Sequence, residues 1–487
     1  MNNLKKTLAL VAALAMTATA FASCGDDESS SSSSKKESSN VEESSEGESS
    51  EGESSEEASG GMKDSVGQGG DTVTIASWDH NDVPALIANW KGLDFSTIGA
   101  DLAEGKVDGV DFIDLNCGGG DAAEKYDQLF LDGGDLDIYF CEADWALKFI
   151  DSDNTLPLSD LGLTDADFPN IYAYTDVIGK DSNGVRKGIS WQAAAGGFGY
   201  NAELAEQYLG VKSPEEMQAK VADWDKFVKT AEELNQASGG SVALADSLGG
   251  LWQAYACGRS TPWVVDNTLQ VDAFCEDFAK TAKALWDIDG VAKNGQWNTD
   301  WTSAGVTGNT LGYFVSTWGF SGFFMDAAGG VDGAQYGKWN VCRGPVSYYW
   351  GGTWIVVNPK TDNGNEARDF IVACTSDEAS MENYAINKPE YVNNKKIMDK
   401  LIAADTQFNP EVSGNMKDGQ NYFKEICQNI DSLDFNGLIT PYDATIKQAF
   451  TDAIEKEMLI GGKSYEDAVT AFEDKVLEAI PEIELPE

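Results

Sequence analysis

The chain of 487 residues carries 81 acidic against 34 basic side chains, a net charge of −47 at pH 7, and 42% of it is apolar. That balance repels nucleic-acid phosphates and anionic lipid surfaces, which are bound through Lys/Arg clusters, so no nucleic-acid partner is expected. A single histidine, His80, excludes multi-histidine metal sites and leaves any Ser-His-Asp or Cys-His pair to that one residue.

Lys5 and Lys6 precede an apolar run from Leu8 to Met16, and small residues lead into Phe21-Ala22-Ser23-Cys24. A charged start, a short apolar stretch and a small-residue cleavage site define a secretory leader over 1–23, too short to span a bilayer as a mature helix. Cys24 stands where a bacterial lipoprotein leader places its lipidated cysteine. Phe21, in place of the usual leucine, keeps ordinary leader cleavage open as a second reading. Residues 24–71 follow as a Ser/Glu-rich spacer with 14 acids and three lysines. Almost no large apolar side chain is available there to offset chain entropy, so the tract is expected to stay unfolded. The expected location is the extracellular face of the cytoplasmic membrane, lipid-anchored, on a cell of the Gram-positive type.

From residue 72 onward the chain exceeds the usual size of one core, and two lobes are expected. The β-branched run Val73 to Ser77 predicts a first strand. Val110 to Leu115 predicts a second, followed by a helix over Asp121 to Leu131. Leu136 to Phe140 predicts a third, followed by a helix over Glu142 to Ile150. Strands alternating with helices predict an α/β fold with parallel sheets, whose ligands bind at the strands' carboxyl ends. Ser213-Pro214-Glu215-Glu216 and Ser464 with Asp467 are helix starts. Ile446, Phe450 and Ile454, and then Val469, Phe472, Val476 and Ile480, form apolar stripes, so the C-terminal region is expected to be helical.

The aromatic residues carry the functional signal. Of 14 tryptophans, Trp78, Trp145, Trp191, Trp318 and Trp350 stand just after predicted strands or beside glycines. A flat indole packs against the C–H face of a sugar ring, while a neighbouring carboxylate accepts hydroxyl hydrogen bonds. Each tryptophan taken singly is as well explained by a core position; as a set, at least three are expected to touch ligand. Trp224 is assigned to the core. Asp79, Glu142 and Asp144 lie at strand ends, where paired carboxylates serve either sugar binding or glycoside hydrolysis. His80 is open between a ligand contact and an exposed, neutral position.

Seven cysteines follow Cys24, an odd number with no CxxC, and several have apolar neighbours; they read as small buried hydrophobes. Zinc spacing, an EF-hand loop, a Walker A motif, GxSxG and the Rossmann fingerprint are all missing from the sequence, and neither a metal nor a cofactor is expected.

Several segments, in order, resemble the extracellular solute-binding proteins of bacterial ABC transporters, the family of maltose-binding protein. They are the leader with its acidic spacer, Trp78-Asp79, Gly188-Ile189-Ser190-Trp191, Gly199-Tyr200-Asn201-Ala202-Glu203-Leu204, and Trp224-Asp225-Lys226-Phe227. Thr317-Trp318-Gly319 and Trp350-Gly351-Gly352-Thr353-Trp354 with Val356-Val357-Asn358-Pro359-Lys360 complete the series. Leu311-Gly312-Tyr313-Phe314 departs from the family's alanine-methionine strand before Trp318. The resemblance implies a two-lobed periplasmic-binding-protein-like fold of type II, a flytrap with crossings near Trp191, Arg343 and Asn358. It implies a first lobe of 72–190 plus about 344–360 and a second of about 191–343 plus 361–487. It implies a monomer, not an enzyme, that captures an oligosaccharide by hinge closure and delivers it to a permease. The implied ligand-binding set is Trp78, Asp79, Asp144, Trp145, Trp191, Trp318 and Trp350, with Trp252 and Trp301 added; a flat β-linked glucan or xylan fragment is the expected ligand. The alternatives are a secreted glycoside hydrolase with an Asp/Glu pair and a surface polysaccharide-adhesion protein.

Overall fold

A computed structural model describes residues 61–404, 415–428, 430–435 and 437–486. The leader, Cys24 and the spacer as far as residue 60 lie outside the described residues. Among the described residues, eleven strands form two main sheets and a small hairpin. They are β1 (Val73–Ser77), β2 (Val110–Asp114), β3 (Ile138–Glu142), β4 (Gly188–Ser190), β5 (Gly196–Asn201), β6 (Ala243–Ala245), β7 (Val264–Val265), β8 (Thr268–Leu269), β9 (Thr310–Ser316), β10 (Trp339–Cys342) and β11 (Thr353–Val357).

The first sheet has the order β2-β1-β3-β11-β4 and the second β10-β5-β9-β6, while β7 pairs with β8. β1 runs parallel to both β2 and β3, as the alternating pattern predicts. β11 is antiparallel to β3 and to β4, and β5 is antiparallel to β9 and β10. Both sheets are therefore mixed rather than parallel throughout. The physical reason is that β5 and β11 are each entered by direct passage from the other sheet, from β4 and from β10, instead of by a helical crossover within one sheet. Every residue of β1 and β11 is buried, as expected for strands covered on both faces.

Helix signals read from the sequence are realised. Ser213 Oγ accepts from Glu216 N at 3.3 Å, with Pro214 opening the helix Pro214–Lys220. Ser464 and Asp467 form a reciprocal capping box on Tyr465–Ala479. Ile446, Phe450, Ile454, Phe472, Val476 and Ile480 are buried, but Ala468 rather than Val469 heads the second stripe. Trp224 is partly buried against Tyr255 and Phe314. The seven described cysteines are all unpaired; Cys141, Cys275, Cys342 and Cys374 are buried.

Two boundaries differ from expectation. Residues 61–71 belong to the fold: Val66 is buried in the core, Gly364 N donates to Gly67 O at 2.9 Å, and Lys63 pairs with Asp160 at 2.6 Å. Helices Gly364–Thr375 and Glu378–Asn387 pack on Asp82–Lys91 beside the first sheet, through Trp90 on Phe370 and Asn89 Nδ2 donating to Ser380 O. Residues 364–403 thus sit with the first lobe, and Asn358, whose N–H donates to Asp137 O at 2.8 Å, is a first-sheet residue and not a crossing. The chain is back at the second sheet by Asn415, which accepts from Trp339 N. Helices Asp443–Ala453 and Tyr465–Ala479 complete the second lobe, with Phe450 on Trp252 and Phe472 on Trp263.

Candidate functional site

The carboxyl ends of β1 and β3 place Trp78 and Glu142 side by side on one edge of the first sheet. Trp78 meets Trp145 edge-on, with ring centroids 5.5 Å apart, and Trp145 Nε1 donates to Gly119 O at 2.9 Å. The loop Gly118-Gly119-Gly120, just before the helix Ala122–Asp132, is thereby a backing for two half-buried indoles. Asp79 turns away from this platform: its Oδ1 accepts from Asn81 N and Asp82 N, at 2.9 and 2.8 Å, and closes the entry to the next helix. Its carboxyl is pushed up to about 6 by burial and then by Asp82. His80 is exposed.

The matching edge of the second sheet is the end of β9. Trp318 follows it, and its Nε1 donates to Trp350 O at 3.0 Å, tying it to the passage between β10 and β11. The Trp318 and Trp350 rings meet edge-on at 5.1 Å. Trp297 covers both, stacked on Trp318 at 5.7 Å and tilted over Trp350 at 5.5 Å. Trp297 is 61% exposed and has a φ of +68°. A bulky residue held in the left-handed region marks a strained loop, and an indole left in water there has no part in a core. Sequence reasoning missed it because it considered tryptophans at strand ends. The signal was present in Gly295-Gln296-Trp297-Asn298, an aromatic residue in a polar loop.

The two edges converge at Gly351. A methyl group at its Cα position would lie 3.3 Å from Trp318 Nε1 and 3.7 Å from Glu142 Oε1. Glu142 Oε2 accepts from Asp144 N at 2.7 Å, and burial, then the Asp144 charge, pushes the Glu142 carboxyl up to about 8. Asp144 pairs with Lys447 of the helix Asp443–Ala453. Beside them lies a cavity of about 120 Å³ between the lobes, lined by Asp144 from the first and by Trp252, Gln253, Arg259, Trp350 and Lys447 among others. Burial also pushes Asp443, on the cavity wall, up to about 6.

Three expected ligand contacts are corrected to packing positions. Trp191 is 1% exposed and meets Tyr384 edge-on. Trp301 is 1% exposed, stacked on Phe323 at 4.1 Å, and its Nε1 donates to Asp246 at 2.7 Å. Trp252 is 2% exposed among Trp263, Phe278 and Phe450 and reaches the cavity only at its edge. In each case the neighbouring helices and loops cover the indole and leave at most 2% of the residue exposed. Trp78, Trp145, Trp318, Trp350 and Asp144 do gather at the interlobe edge.

One acidic cluster lies elsewhere. Asp135, Asp137 and Asp362 bring carboxylate oxygens within 4.8 Å of one another. Both Asp137 oxygens already accept, from Thr74 N, Thr361 Oγ1 and Asn363 Nδ2, so the cluster ties β1 to the segment after β11.

Two mixed α/β lobes joined by passing strands, with aromatic and acidic side chains at the facing strand ends, define the class of two-lobed solute-binding proteins. Residues 109–396 match the family described as bacterial extracellular solute-binding protein, and the chain belongs to that family. The fold is shared with solved structures of low sequence identity. An ABC transporter-associated binding protein from B. animalis subsp. lactis, in complex with β-1,6-galactobiose, is 17% identical with a TM-score of 0.64, covering 86% of this chain and 100% of that one. An extracellular solute-binding protein of family 1 is 16% identical with a TM-score of 0.63, covering 84% and 99%. The GacH receptor of Streptomyces glaucescens, solved unliganded and with acarbose, is 15% identical with a TM-score of 0.61, covering 85% and 99%. No curated protein matches the sequence.

Proposed function

We propose that this protein captures an oligosaccharide between its lobes and hands it to the membrane subunits of an ABC importer, held at the outer membrane face through Cys24. The observation that carries the reading is the Trp297–Trp318–Trp350 cluster beside Glu142, with one indole largely in water. Indole faces cover apolar sugar faces, and the adjoining carboxyl groups take hydroxyl hydrogen bonds. Trp78 and Trp145 belong to the first lobe and the cluster to the second. A sugar touching both adds contacts available only when the lobes are closed, and so shifts the population toward the closed form. The similar proteins named above include ones solved with β-1,6-galactobiose and acarbose, which supports a saccharide as the solute.

The test is thermal unfolding of the full chain against malto-, cello-, xylo-, manno- and galacto-oligosaccharides, with the solution analysed for products. A ligand at 100 times its Kd adds about 2.7 kcal/mol of stability. A rise for one series without new products is the expected result; no rise for any series, with a rise for amino acids or peptides, overturns the reading. One observation favours the hydrolase alternative, namely a Glu142 carboxyl that keeps its proton near neutrality beside Asp144. Products that vanish in Glu142→Gln would establish it.

A further inference from the structure

The cavity between the lobes contains hydrogen-bond donors that meet no acceptor. Arg259 lies just beyond the helix Leu248–Ala256, and is 9% exposed. Its guanidinium lies over the Trp263 ring, 3.6 Å from the centroid, and Nη2 donates to Gln270 O at 2.8 Å. These two contacts fix the plane. Nη1 and Nε have no hydrogen-bond partner; the closest carboxylate to Nε is Asp272, 3.9 Å away. Trp252 Nε1, on the same cavity wall, is likewise buried and unpartnered.

The other charges of the cavity are engaged. Asp144 and Lys447 pair with each other, and Asp443 Oδ1 accepts from Thr440 N at 3.2 Å and from Thr440 Oγ1. A buried guanidinium with unfilled N–H groups is costly, because its lost hydration is not replaced. In a chain with 81 acids and 34 bases, a carboxylate of the protein would be the simplest way to fill them. The side chain that carries them instead lines a cavity. A hydrogen bond between a guanidinium and a carboxylate is roughly twice as strong as one between two neutral groups.

We propose that the cavity holds a subsite for the carboxylate of an acidic saccharide, received by Arg259. This rests on the saccharide reading above and narrows it to uronate-bearing ligands. The surrounding field of −47 opposes an anionic ligand at long range, so recognition is local and short-ranged.

The experiment titrates the full chain with trigalacturonate and with a glucuronate-substituted xylotriose, each beside its carboxyl-reduced form, by calorimetry at two salt concentrations. At least one acidic probe is expected to bind ten-fold or more tightly than its reduced form. Its association rate, followed by stopped-flow tryptophan fluorescence at the same two salt concentrations, is expected to rise with salt as the global repulsion is screened. Arg259→Gln is expected to abolish the preference while keeping the binding of the reduced form. Equal or tighter binding of the reduced forms, or an Arg259→Gln variant that weakens both forms equally, overturns the subsite and leaves the saccharide reading intact. If no acidic or reduced probe binds and no neutral series raises the unfolding temperature, both fall. Should Arg259→Gln not fold, the acidic-against-reduced comparison on the unaltered chain decides alone.

Discussion

Trp297 keeps an indole in water and a backbone in the left-handed region, two costs that packing does not repay. Its neighbours differ: Trp318 is anchored by a bond to Trp350 O, and Trp301 by a bond to the buried Asp246. Truncating Trp297 should therefore cost binding and not folding. Trp297→Ala is expected to weaken saccharide binding roughly ten-fold, by loss of one stacking face worth about 1 kcal/mol or more, with an unchanged unfolding temperature. Trp301→Phe should do the reverse. Asp246 would lose one of its donors, the others being Ser247 Oγ and Phe314 N, at a cost of about 1–3 kcal/mol read by denaturant unfolding. The sequence names most of the tryptophans that gather at the edge, because strand ends are where α/β folds collect ligand groups. It does not distinguish Trp318 from Trp301, since the difference lies in Phe323 and Asp246, which close around one and not the other.

The passage between β10 and β11 is the element on which the site depends. Tyr348 anchors it, its hydroxyl lying 2.8 Å from both Gly197 O and Val315 O and sharing its one proton between them. Gly351 and Gly352 follow with φ of +72° and +100°, which lets the chain turn from one sheet into the other. Gly351→Ala is expected to lose about 1–2 kcal/mol of stability from its left-handed backbone. It is also expected to weaken binding beyond that, because the new methyl presses on Trp318 Nε1. Calorimetry on variant and parent separates the two effects. Local signals in the sequence, such as the caps at Ser213 and Ser464, translate directly into structure because they need only their own turn. The return of residues 364–403 to the first lobe was not legible. It depends on contacts such as Trp90 on Phe370, some 280 positions apart, which no periodicity encodes. Val66 was likewise hidden, one of few apolar residues in an acidic tract, and a distant helix covers it.

At the scale of the whole molecule, the lobes meet through buried carboxyl groups. Thr317, at the end of β9, donates its hydroxyl to Glu390, in the loop after the first-lobe helix Glu378–Asn387. Burial pushes the Glu390 carboxyl from 4.5 up to about 8, and Glu142 is pushed up to a similar value. A carboxyl whose folded value is raised favours the folded state in its protonated form. Its contribution is complete below about 4.5 and is lost as pH climbs through about 8. Asp246 and Asp443, each pushed up to about 6, act in the same direction over the lower part of that window. Growing self-repulsion in so acidic a chain adds to the fall. The unfolding temperature is therefore expected to decline steadily from pH 5 to pH 8.5. Glu390→Gln, which keeps the shape and removes the ionisation, is expected to flatten that decline by several degrees between about pH 5 and about pH 8 and to leave the region below pH 5 unchanged. A variant that runs parallel to the parent across the whole range would mean that Glu390 ionises without cost and that self-repulsion alone sets the slope. The same contact bridges the lobes, so the flattened profile should come with a smaller change in ligand affinity between pH 6 and pH 8.5.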